Sequence, residues 1–123
     1  MRTEFLSQNT TDGTSKIRTR RSVGDRVSQA VQQLAGGHAT LIHHREKAWA
    51  SITFAGTRHE MKLEFDTPPA IEAGEHLIAT LPDYEFTIPG QLVAEATVAS
   101  VDHCLHPQPR LTVNATLLLL EEA

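Results

Sequence analysis

The stretch Arg110–Leu120, "RLTVNATLLLL", decides how the rest of the chain is read. Leu111, Val113 and Ala115 alternate with Thr112, Asn114 and Thr116, which is the period of a β-strand with one buried face and one wet face. The four leucines that follow are apolar on both faces. Helices packed on one face of a sheet leave the other uncovered, so Leu117, Leu118, Leu119 and Leu120 call for a second cover. Either the sheet curls onto itself or a partner subunit supplies it, and a symmetric homodimer through this run is the expectation.

Working outward, the long stretch "QLVAEATVASVDHCL" at 91–105 reads as a strand that returns through "HPQP" to pair with 110–120. Before it, Tyr84, Phe86 and Ile88 alternate with Asp83, Glu85 and Thr87, and Pro89-Gly90 turns the chain, which predicts a further short strand. Thr67 with Pro68-Pro69 opens a helix whose Ile71, Leu77, Ile78 and Leu81 face inward and which stops at Pro82. Gly74 inside that helix costs about 1 kcal/mol relative to Ala. Close packing of its backbone on the sheet is the expected compensation.

Residues 39–66 read as a meander of three strands, "ATLIHH", "AWASITFA" and "RHEMKLEF", joined by Arg45-Glu46-Lys47 and by Gly56-Thr57. Ahead of them, Ser22 to Asp25 fits a capping box, Val27, Ala30, Val31 and Leu34 recur at helical spacing, and Gly36-Gly37 supplies a stop. The sum is an α+β fold: a twisted antiparallel sheet of five or six strands, two helices on one face, in the order α-β-β-β-α-β-β.

Charge divides the chain. Residues 1–26 carry six basic and three acidic side chains, the remainder five basic and twelve acidic, for a net charge of −4. Residues 1–21 are polar and basic, with too little apolar surface to offset ordering, and are expected to be a disordered arm before a single domain spanning 22–123. Lys16, Arg18, Arg20 and Arg21 could hold nucleic acid phosphates, though without interleaved aromatic residues the pattern is also that of a solvated leader. At 123 residues with 40% apolar content the chain suits one core. A lone cysteine and the lack of any apolar run near the roughly 20 residues of a membrane helix predict a cytoplasmic protein that does not enter a membrane.

One segment gathers metal-binding residue types. "VDHCLHPQP" at 101–109 sets Cys104 between His103 and His106. Along a strand Cys104 and His106 project to one face and His103 to the other, so a zinc site would need further ligands from His43, His44 or His59. His43 and His44 also face opposite ways, so one of the two at most could serve. No CxxC or HExxH spacing supports zinc, no glycine-rich loop precedes a helix to cradle phosphate, and no serine lies in a nucleophile elbow. A solvated hairpin tip accounts for the segment, and no cofactor is expected.

The leading expectation is therefore a small non-enzymatic interaction or ligand-binding domain that self-associates through its sheet or binds a protein partner. A metal- or thiol-dependent sensor or hydrolase built on His103, Cys104, His106, His43 and His59 is the alternative. The third expectation is a weak nucleic-acid binder acting through the basic arm.

Overall fold

A computed structural model describes residues 22–122, so the expected arm with Lys16, Arg18, Arg20 and Arg21 lies outside the described residues. The first described element is α1, Val23–Leu34, and its capping box is complete: the Ser22 hydroxyl accepts from the Asp25 amide at 3.0 Å, and the Asp25 carboxylate accepts from the Ser22 amide at 3.2 Å. It ends where the amides of Gly36 and Gly37 donate to the carbonyls of Gln33 and Gln32, with φ of 65° and 78° that only glycine adopts cheaply.

Two strands follow instead of the three expected. The first, β1, is Thr40–Ala50 and the second, β2, is Ala55–Phe65, paired antiparallel. The chain turns at 51–54, where the Ser51 amide donates to the Phe54 carbonyl at 2.8 Å and the Phe54 amide to the Ser51 hydroxyl at 3.1 Å. Arg45-Glu46-Lys47 is thus the middle of a strand and not a turn. Its charges are accommodated because the face opposite the helices is wet: Arg45 and Lys47 reach Glu60 on β2 at 3.9 and 3.6 Å.

Helix α2 is Pro68–Thr80, capped by the Thr67 hydroxyl, which accepts from Ala70 at 3.2 Å. It runs into a 3-10 turn at Leu81–Asp83. The strand expected over 83–88 does not form. Its alternation has no ladder to join beyond a bridge between Ile88 and Gln91, and Tyr84 stacks edge-on against Phe86 with ring centroids 4.7 Å apart. The last hairpin is β3, Gln91–Cys104, and β4, Arg110–Glu121. Among the described residues the sheet therefore has four antiparallel strands, ordered β1-β2-β4-β3, and the element order is α-β-β-α-β-β. The α+β class stands, and the strand count falls to four because one edge strand was read as two and a loop as a strand.

Register assigns the faces. His59, Met61, Leu63 and Phe65 of β2 lie on one side with Leu111, Val113, Ala115, Leu117 and Leu119 of β4, all buried. Val27 and Val31 of α1 and Ala70, Leu77 and Leu81 around α2 complete that core. Both helices sit on this side. A Cβ on Gly74 would lie 2.7 Å from Leu111 Cδ2 and 2.8 Å from Phe65 Cδ2, so α2 approaches the sheet through its glycine as expected. A Cβ on Gly24 would overlap the Glu46 carboxylate, which places the first turn of α1 over β1. Gln32 ties α1 to the approach of β1, donating to the Ala39 carbonyl at 2.6 Å and accepting from its amide at 2.9 Å.

Candidate functional site

The titratable groups brought together by the fold lie under α1. On β1, His44 and Glu46 are two residues apart and share the helix-covered face; on β2, His59 is the direct cross-strand partner of Glu46. His44 Nε2 and His59 Nδ1 are 3.0 Å apart, and their rings are tilted by 52° at 5.2 Å between centroids. One ring nitrogen each of His44 and His59 and a carboxylate oxygen of Glu46 all lie within 4.8 Å of one another.

Burial grades across the three. Glu46 is exposed, His44 half-buried and His59 fully buried. His59 Nε2 has no hydrogen-bond partner, a state that costs a buried polar atom about 1–3 kcal/mol. Burial pushes the His59 pKa below the ordinary 6.5, the neighbouring Glu46 carboxylate opposes this, and His44 adds to the lowering.

That direction sets a pH dependence. Below about pH 6.5 an unfolded chain takes up a proton at this position that the folded chain refuses, so the unfolded state gains protons and stability falls with acidification. Stability from this group is complete above 6.5 and is lost as pH drops through the folded value. Thermal melts of chelator-treated protein between about pH 7.5 and pH 5 should show a falling midpoint, and the fall should be shallower in His59→Gln. Equal slopes in the two proteins would remove His59 from the account.

The zinc set that the sequence offered as an alternative is not brought together. His103 lies opposite Leu111 on the helix-covered face, Cys104 opposite Arg110 on the other, and His106 follows in the turn. The exposed Cys104 thiol donates to the His106 carbonyl at 2.9 Å. His43 is on β1, at the opposite edge of the sheet from β3, three strand spacings or roughly 14 Å away. Of the histidines weighed as further ligands, His44 and His59 join the cluster and His43 does not, and Glu46 is the member that sequence reading missed. Its signal was the His44-x-Glu46 spacing, hidden while 45–47 was taken as a turn.

Leu117 and Leu119 face the helices with no exposure, and Leu118 and Leu120, on the other face, are each 8% exposed. All four are covered within the single chain. The exposed apolar surface lies elsewhere, above all at the β1–β2 turn, where Ile52 is 102% and Phe54 53% exposed. An open groove of about 750 Å³ runs along the outer side of α1 past Gln29, Gln33 and Asp25, and the Asp25 carboxylate is already engaged in the capping box. Among the described residues no helix is long and apolar enough to cross a membrane.

No family model and no curated protein matches this sequence. Among solved structures, a chain of the "Virion of native gene transfer agent (GTA) particle" is similar in fold, with a TM-score of 0.51 at 12% identity over 75% of this chain and 84% of that one.

Proposed function

We propose that this chain is a non-enzymatic structural subunit that associates with further copies of itself through the apolar tip of its β1–β2 hairpin. The observation that carries the reading is Ile52, wholly exposed beside a half-exposed Phe54 on a turn held in shape by two hydrogen bonds. Two large apolar side chains held out on a rigid turn gain nothing in the folded monomer. Buried in a partner, each contributes roughly 1.5–3 kcal/mol. The similar chain belongs to an assembled particle, which fits a domain whose work is contact between subunits. The sheet itself contributes a frame and not a catalytic cleft. Its face away from the helices is a lattice of cross-strand partners such as Asn114, which donates to Ser100 at 2.9 Å, and Glu64, which meets Arg110 at 3.8 Å. A single exposed thiol suits a reducing compartment such as the cytoplasm.

Sedimentation velocity on the full chain at rising concentration tests this. The intact protein should populate a larger species, and Ile52→Asp combined with Phe54→Asp should weaken its formation by at least about tenfold, equivalent to 1.4 kcal/mol. Both positions are exposed, so the variant's melting midpoint should stay within the roughly 0.5 kcal/mol of ordinary surface changes. A protein that remains monomeric at every concentration, or a variant that associates as well as the parent, overturns the reading.

A further inference from the structure

We infer that His44, Glu46 and His59 form a binding site for a single divalent transition-metal ion of the zinc type. The site lies under the first turn of α1, apart from the hairpin tip, and does not depend on the assembly role. Its basis is geometric. Three side chains of the right chemistry, two imidazoles and a carboxylate, reach within 4.8 Å of one another from alternate rungs of one ladder, on the same face. That donor set is one that zinc accepts with three protein ligands and an open position, and imidazole together with carboxylate oxygen favours Zn²⁺, Co²⁺ or Ni²⁺ over Mg²⁺ or Ca²⁺.

The arrangement is also poorly explained without an ion. A neutral histidine pair 3.0 Å apart makes one hydrogen bond and leaves each ring with a second nitrogen to satisfy. For His59 that second nitrogen is buried and unpartnered. An imidazole fixed at zero exposure beside a second imidazole and a carboxylate, on strands that hold their backbones rigidly, is a preorganised ligand set. Cover completes it. Gly24 brings the α1 backbone down onto Glu46 with His44 Cε1 3.7 Å from where a Cβ would stand, so the carboxylate is confined on one side while remaining open to solvent on the other. An ion would enter from the Glu46 side and tie β1 to β2 beneath the start of α1.

The test uses the full chain without a histidine tag, stripped with chelator and titrated with Zn²⁺ by calorimetry and with Co²⁺ by visible absorption. One equivalent should bind, Co²⁺ should develop the ligand-field bands of a low-coordination site, and the melting midpoint should rise with metal. His44→Ala and Glu46→Gln each remove one donor without opening the core, and each should weaken binding by more than the roughly 10–100-fold that loss of an outer-shell partner costs. His59→Gln serves as a third variant where circular dichroism shows it folded. His103→Ala with His106→Ala should bind as the parent does. No binding by the parent, equal binding by the His44 and Glu46 variants, or loss confined to the His103 and His106 variant each overturns the site. Assembly by the hairpin tip is read separately by sedimentation, so failure of either leaves the other standing.

Discussion

Gly56→Ala should destabilise the protein by about 3 kcal/mol, the upper end of what overpacking costs. Gly56 stands near the start of β2, opposite Trp49 on one side and Leu120 on the other. A Cβ there would coincide with the Leu119 carbonyl oxygen and lie 2.9 Å from both the Leu119 carbonyl carbon and the Leu120 Cα. The obstacle is backbone, which cannot rotate aside as a side chain can. Accommodation requires β2 and β4 to part at that end, giving up ladder hydrogen bonds and loosening the cover over Leu117 and Leu119. Urea unfolding should show a lower midpoint with an unchanged slope. A midpoint equal to that of the parent would mean that the two strands do not approach as closely as the structure shows.

The second large effect lies at the other end of the same strand pair. Phe65 is fully buried beneath α2, and Phe65→Ala should cost about 3–5 kcal/mol through lost burial and the cavity left behind. Gly74→Ala, which drives a methyl group to within 2.8 Å of Phe65 Cδ2 and 2.9 Å of Cγ, should cost about 1–3 kcal/mol. The two should not add. Removing the ring makes room for the methyl, so the double variant should be more stable than the sum predicts by at least about 0.5 kcal/mol. Strict additivity in a double-mutant cycle would show that the Leu111 side chain, 2.7 Å away, is the contact that matters instead.

Much of this architecture was legible in residue order. Ser22 with Asp25, Thr67 with two prolines, and Gly36-Gly37 marked both helices because caps act locally, through the chain's own nearest amides. β4 was legible because a central strand has a dry face to alternate against, and β3 because Pro89-Gly90 and the 106–109 turn bound it on both sides. β1 was not, since an edge strand is exposed almost throughout and carries no alternation to read. There the deciding information was tertiary: Arg45 and Lys47 are strand residues because Glu60 awaits them on β2. The apolar turn 51–54 misled in the opposite direction, because Ile52 and Phe54 have the composition of a strand and the position of a loop. Tyr84, Phe86 and Ile88 alternate like a strand but pair with the rest of the chain only through the Ile88–Gln91 bridge.

The same error concealed the histidine cluster. His59 was noticed as a histidine among strand residues, and His44 as a ligand that shares no face with His43. Glu46 joined neither while its segment was taken for a turn. Once 40–50 is a single strand, the i, i+2 spacing of His44 and Glu46 follows directly, and the pairing of Glu46 with His59 supplies the third member. Long-range register was the missing quantity, and periodicity does not contain it.

The register slips separate the sheet into two kinds of strand. Between β2 and β4 the pairing runs from Gly56 and Leu120 to Phe65 and Leu111 without interruption, whereas the extra residues Ile42, Ala94 and Ala99 all sit in the outer strands β1 and β3. Each slip breaks the even spacing of amides and carbonyls that an incoming strand would have to match. A sheet built this way does not invite open-ended strand addition at its margins.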